Sequence, residues 1–298
     1  HKAFTARQVE ALRGGVRELT VQLLDAVEGP RFDLMAALAT PPPLAVIARL
    51  LGVPDEDRHL LLPWSHRIVA FYELNRTRET VVDAGKAVEE FSDYLRGLVA
   101  ARRRAPRDDL ITHLAQVEEA GERLSEDELI ATCILLLNAG HEATVNAIGN
   151  GVLALLRHPD QLEKLRGDPA LMPGAIEEIL RYDTPLQLFR RWVLEDFEYE
   201  GVSFKKGDEL ALLFGAANRD PERFPNPHRF DVARRDNAHL SFGQGIHYCL
   251  GAPLARLELA VALPLLLERF PNLSLAEQTL EHHPSFIFHG LKALWVEG

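Results

Sequence analysis

Through the first two-thirds of the chain apolar residues return with the period of an α-helix, and through the last third they do not. Thr5 with Gln8 has the form of a capping box, and Val9, Leu12, Val16 and Leu19 follow at helical spacing until Gly29-Pro30 stops the run. Ser125 with Glu128 opens a second box, after which every position stays helix-compatible up to His158-Pro159, predicting a rod of roughly 50 Å at 1.5 Å per residue. From about residue 191 the texture changes. The stretch "RRWVLEDFEYEGVSFKKGDELALLF" carries β-branched and aromatic residues broken by Gly201 and Gly207, as short strands joined by turns would. A Pro-rich coil over 218–231 leads into a glycine-rich loop, and "APLARLELAVALPLLLERF" predicts one more helix. The expected class is mainly α with a small β-sheet region: one domain over 1–298, helix-rich over 1–190 and β-containing over 191–298. No internal repeat or low-complexity tract interrupts it, and Arg102 to Arg104 with Arg107 reads as a solvated loop.

Composition narrows the function. With 47% hydrophobic and 26% charged residues, the 298-residue chain has the balance of a soluble globular protein. A formal net charge of −11 repels phosphate backbones and anionic headgroups, so neither nucleic acid nor a membrane surface is an expected partner. No apolar run reaches the roughly 18 residues that span a bilayer, and "HKAFTARQVE" has no apolar signal core, so the expected location is cytoplasmic. Two cysteines, Cys133 and Cys249, make no disulfide framework and suit a reducing compartment.

Cys249 stands in the loop "FGQGIHYCLG", residues 242–251. Gly243, Gly245 and Gly251 admit backbone torsions closed to other residues and allow close approach to a flat or bulky group. The helix predicted just behind the sulfur, with Pro253 in its first turn, aims free N–H groups at it and would favour a thiolate fit for a metal. A cysteine is often only a small buried hydrophobe. Here the pattern F-G-x-G-x-H-x-C-x-G fixes six positions, whose chance occurrence is on the order of one in a million.

This loop resembles the haem-binding loop of the cytochrome P-450 family. "AGHEAT" at 139–144, Glu178-x-x-Arg181 in "EEILR", "ANRDP" at 217–221 and "PHRFD" at 227–231 match it in order and spacing, and the resemblance covers essentially the whole chain. It implies the cytochrome P-450 fold, haem b as cofactor and a monooxygenase reaction in which O2 and a hydrophobic small molecule are consumed. Electrons would come from a ferredoxin or flavodoxin docking near arginines such as Arg256. Carried over residue by residue, it makes Cys249 the axial thiolate ligand of the iron, Phe242, Gly243 and Gly251 parts of the ligand loop, and Arg191 and His247 partners of the haem propionates. Glu178 and Arg181 become a buried pair joined by an arginine of the coil, Arg229, that locks the loop. Gly140, beside Ala139, marks a kink in the long helix where oxygen binds. Leu135, Ala139, Leu186, Leu188 and Ile287 line an apolar substrate pocket, together with the helices flanking 70–80.

One position departs from the family. Glu142 is the acid of an acid–alcohol pair that delivers protons, yet the alcohol position is Ala143. Thr144 is turned by about 100° around the helix axis and does not simply replace it. An ordered water or a hydroxyl on the substrate then takes the role. The departure keeps two alternatives open, a peroxide-using enzyme and a non-catalytic haem-thiolate sensor. A third class, the zinc proteases, shares His141-Glu142 with the motif H-E-x-x-H but fails at its end, where position 145 is Val. Members of the family are usually longer, and "HKAFTARQVEALR" resembles the segment after a helix that supplies a further propionate arginine and histidine. The sequence is therefore expected to be part of a longer gene product.

Overall fold

In the computed structural model, which describes residues 6–116, 118–119 and 122–298, the N-terminal apolar repeat folds as two helices rather than one. Helices α1 (Ala6–Ala11) and α2 (Arg13–Asp25) meet at Leu12, just before Gly14-Gly15, where two poor helix formers weaken a continuous ladder. Thr5, the expected cap, lies outside the described residues. Strand β1 (Arg31–Asp33) precedes α3 (Pro41–Leu51), whose prolines occupy the first turn, where missing N–H groups cost least, and whose end is capped by Gly52 at φ 90°. Then come α4 (Arg58–Val69), α5 (Arg78–Arg104), α6 (Leu110–Gln116) and the two-residue strands β2 (Glu118–Glu119) and β3 (Glu122–Arg123).

The long helix α7 runs from Glu126 to Arg157 and begins where the sequence places it. The Glu128 N–H donates to Ser125 Oγ at 3.2 Å and the Ser125 N–H to Glu128 Oε2 at 2.8 Å, a complete capping box. Its side chains are apolar nearly all round, the mark of a helix that passes through a core rather than over it. One apolar cluster gathers α2, the C-terminal half of α7 and the helices α8 (Pro159–Gly167), α9 (Met172–Tyr182) and α11 (Ala252–Arg269). A second gathers α3 to α6 and the N-terminal half of α7. Between α9 and α11 the chain forms β4 (Leu188–Trp192), β5 (Phe197–Tyr199), β6 (Val202–Phe204), β7 (Glu209–Leu213) and the short α10 (Phe214–Ala217). Strand β4 pairs antiparallel with β7, and β5 with β6 across a turn at Glu200-Gly201, both at positive φ. After α11, β8 (Ser274–Leu275) and β1 flank the central β9 (Trp295–Glu297), tying the two ends of the chain together.

The arginine run departs from expectation. Arg102 is buried in the last turn of α5, donating to the Asp109 carboxylate and to the Gly52 carbonyl at 2.5 Å. It shares a helix face with Leu95, Leu98 and Val99, and that periodicity overrides its charge. Only its neighbours Arg103, Arg104 and Arg107 are exposed.

Candidate active site

The cysteine loop folds back on itself because the Cys249 N–H donates to the Phe242 carbonyl at 2.9 Å. Gly243 and Gly245 make the turn at φ 67° and 68°, the left-handed region open chiefly to glycine. Gly251 does not need that freedom: its φ is −82°, and an added Cβ would meet Cys249 Sγ at an ordinary 3.9 Å. Helix α11 starts at Ala252, and the backbone N–H groups of Gly251 and Ala252 both donate to the sulfur. The free thiol nevertheless titrates above its usual range, because burial outweighs these two donors and the Arg256 charge. The helix start alone therefore does not hold a thiolate. An electrophilic metal would supply the remaining stabilisation.

Two arginine clusters brace the loop from behind. Arg256 on α11 forks onto Glu177 of α9 at 2.7 and 2.8 Å, donates to Tyr248 Oη at 3.2 Å and lies 4.5 Å above the Phe242 ring. It is thus committed to bracing the loop, with its side chain 34% exposed. Next to it, Glu178 and Arg181 are fully buried and joined at 2.8 and 2.9 Å. Arg181 also donates to the carbonyls of Asn218, Pro227 and Arg229. The arginine that completes this pair is Arg234, whose Nε donates to Glu178 Oε2 at 3.0 Å, and not Arg229, whose side chain is exposed and whose backbone alone takes part. Asn218 and Ser241 pass the connection from α9 to the start of the cysteine loop, at 2.9 Å from one another.

Arg191 and His247 stand apart from this network. Arg191 on β4 donates to the Arg190 carbonyl and lies over Phe189, His247 is exposed, and among the described residues neither has a carboxylate partner. A thiol bracketed by two N–H donors, with an arginine and a histidine left to donate to anionic groups, fits an iron porphyrin bearing propionates.

On α7, Leu135 is 59% exposed and Ala139 is open on the same stripe, while Leu137 and Asn138 between them are buried, as is Ile134 just before. Ala143 continues the stripe one turn on, half-buried; Thr144 turns into the protein at 6% exposure. Gly140 serves packing. A Cβ there would lie 2.9 Å from Ile47 of α3, and the position lies inside the continuous helix Glu126–Arg157. Glu142 lies 3.4 Å from Nε2 of both His141 and His66, and those imidazoles with His283 hold its carboxyl below the usual range although burial opposes them.

The expected pocket segments do meet one another. Leu186 bridges Phe288, the Gln187 N–H donates to the Ile287 carbonyl at 2.8 Å, and Leu188 pairs with Leu213. From the segment after α4, Glu73 accepts from Ser285 Oγ and from the Phe286 N–H at 3.1 Å, and the Tyr72 carbonyl accepts from Arg190 at 3.3 Å. Ile287 itself is 8% exposed and buttresses the wall rather than facing open space. Sequence reasoning missed His66, Glu177 and Arg234. Glu177 adjoins the Glu178-x-x-Arg181 element and could have been read with it; the other two carry no local signal.

A family profile described as Cytochrome P450 matches residues 57–169 and 170–289. The chain is similar to the polyketide biosynthesis cytochrome P450 PksS of Bacillus subtilis, with 44% identity over 300 residues, 99% of this chain and 73% of that protein. It is similar to the cytochrome P450 monooxygenase PikC of Streptomyces venezuelae at 43% identity over 307 residues, 100% of this chain and 72% of that protein. The crystal structure of P450BioI in complex with an acyl carrier protein ligated to hexadec-9Z-enoic acid superposes with a TM-score of 0.95, at 42% identity, covering 99% of this chain and 76% of that one.

Proposed function

The chain belongs to the cytochrome P450 family, and from that membership we propose that residues 1–298 act as one catalytic domain of a haem-thiolate monooxygenase in which Cys249 would hold the haem iron. The observation that carries the reading is the Cys249 sulfur, held by the Gly251 and Ala252 N–H groups at the start of α11. Haem b, when bound, supplies the activation of O2 and the insertion of one of its oxygen atoms into the substrate. The protein's part is to hold, shape and protonate. Phe242 and Gly243 set the approach of the loop, and Arg191 and His247 take the propionates. Glu142 carries protons from the His66 side of α7. Ala143 offers no hydroxyl to pass them on, so water or the substrate does.

Leu135, Ala139, Leu186 and Leu188, backed by Ile287, line an apolar pocket that excludes water. PksS is named for polyketide biosynthesis, and P450BioI was solved with a hexadecenoic chain. Both support a substrate that presents an extended apolar carbon chain or ring. A ferredoxin or flavodoxin would bring electrons to the cysteine side, in the cytoplasm, as the two unpaired cysteines suggest. Among the described residues no helix is long and apolar enough to cross a membrane.

The test is the absorption spectrum of the reduced, CO-bound protein with Cys249 intact and with Cys249→Ser. A thiolate ligand gives a strongly red-shifted Soret band that the serine variant loses. An ordinary haem-protein spectrum, or one unchanged by the substitution, refutes the assignment.

A further inference from the structure

Glu142 is flanked by two imidazoles from distant parts of the chain. His66, near the end of α4, and His141, its neighbour on α7, each place Nε2 at 3.4 Å from Glu142 Oε1, and the three ligand atoms lie within 4.8 Å of one another. His141 is 1% exposed, and its Nδ1 lies 2.9 Å from the Leu137 carbonyl, an acceptor. Nδ1 therefore carries a proton, and in the neutral ring Nε2 presents its lone pair. That Nε2 has no hydrogen-bond partner among the described residues. A buried lone pair facing a carboxylate oxygen requires positive charge between them, either a proton or a metal ion. An Nδ1–H anchored on a backbone carbonyl with Nε2 left free is also the outer contact of a metal-ligating histidine.

Ligand atoms held about 2.0–2.2 Å from a tetrahedral Zn2+ stand about 3.3–3.6 Å apart; both edges to Glu142 Oε1 match at 3.4 Å, and the third, between the two imidazole nitrogens, lies within 4.8 Å. Half-exposed His66 also borders an open groove with Arg67, Asp83 and Lys86, which gives an ion a wet path in. In sequence, Val145 removes the second histidine of the zinc motif; in space, His66 replaces it.

We infer that His66, His141 and Glu142 form a Zn2+ site that ties α4 to α7, with two imidazoles, one carboxylate and a fourth position open to water. The ion withdraws Glu142 from proton carriage and pins α4 over the pocket, so Zn2+ suppresses turnover reversibly. The site stands apart from the monooxygenase reading, because binding is measured without turnover.

The test is calorimetric titration of the haem-loaded protein with ZnCl2, beside His66→Ala, Glu142→Gln and, as a control on exposed histidine, His59→Ala. One ion should bind per chain. His66→Ala should weaken it by roughly a hundredfold, the scale on which even outer-shell partners of a metal matter, and His59→Ala should leave it unchanged. Haem absorbance and melting temperature without zinc establish that each variant is folded. Zinc K-edge absorption on the unaltered protein should show two imidazoles and one carboxylate, a readout that no variant's folding affects. Equal zinc affinity in His66→Ala and the unaltered protein means an adventitious ion on surface histidines only, and overturns the site. So does the absence of saturable binding, which leaves a proton alone between His141 and Glu142.

Discussion

Arg256 grips Glu177 with both prongs of its guanidinium, Nε to Oε1 at 2.7 Å and Nη2 to Oε2 at 2.8 Å, while its face covers the Phe242 ring that begins the cysteine loop. One side chain thus joins the helix behind the sulfur, helix α9 and the loop. Arg256→Gln should cost about 2 kcal/mol, the scale of hydrogen bonds to a charged group that is only partly buried. The same protein should lose its haem faster and drift from the thiolate spectrum. The acid limb changes too. Glu177 is held at about 2, below its ordinary 4.5, by Arg256 and His239 against the opposing effect of burial. A depressed carboxyl gives stability that is present above pH 4.5 and lost as pH falls toward 2. Between those values the variant's melting temperature should fall less steeply than that of the unaltered protein. Parallel curves would show that Arg256 does not set the Glu177 titration.

Two arginines of the coil offer a direct contrast. Arg234→Ala removes the donor to Glu178 Oε2 at 3.0 Å and should destabilise by roughly 2–3 kcal/mol. Arg229→Ala keeps the backbone carbonyl that Arg181 uses and should stay within about 0.5 kcal/mol. Arg181→Ala, which strands a fully buried Glu178, should cost about 3–5 kcal/mol and prevent stable haem incorporation. Urea melts of the three variants rank them.

That contrast also shows where sequence stops informing structure. Helix α7 was legible residue by residue because its determinants are local: Ser125 and Glu128 are one turn apart, and His158-Pro159 ends the run. The Cys249 loop was legible because its glycines and cysteine are packed into ten consecutive positions. Spacing does not select Arg234 over Arg229, since both lie just beyond the coil's prolines and only the path of the chain decides which reaches Glu178. The same holds for His66, which meets Glu142 through the packing of α4 on α7. Gly140 and Gly251 looked like backbone devices; one makes room for Ile47 and the other sits at an ordinary φ. By charge Arg102 reads as solvated, but its place on the apolar face of α5 buries it.

Proton delivery gives a third expectation. Glu142→Gln should lower turnover by about a hundredfold or more, as loss of a positioned acid does. Ala143 faces the open stripe, whereas Thr144 is buried. A substrate carrying a hydroxyl over the iron should turn over with little hydrogen peroxide released, and its deoxy analogue should bind yet release most electrons as peroxide. Ala143→Thr should rescue the analogue more than the hydroxylated compound. Thr144→Ala should leave both coupling ratios as they are. The opposite pair of results would make Thr144 the relay.

Glu258 on α11 is a carboxyl buried without a partner outside the proposed site. It is 1% exposed, both oxygens lack a hydrogen-bond partner among the described residues, and burial pushes its pKa up to about 8 from 4.5. The folded protein therefore holds a proton that the unfolded chain releases above pH 4.5, so stability should fall as pH rises. Within that window the loss is about 1 kcal/mol per pH unit, which amounts to a few kcal/mol by pH 8 and then levels off once the buried group itself ionises. Glu258→Gln cannot ionise. Its amide occupies nearly the same volume, so its cost in packing is constant with pH and the comparison between two pH values cancels it. The unaltered protein should melt markedly lower at pH 8 than at pH 5.5, and the variant should show a smaller difference by several degrees. Melting curves for both proteins across pH 5 to 9 decide it: if the two profiles run parallel, Glu258 is ionised in the fold, and a counter-charge or water must reach it along α11.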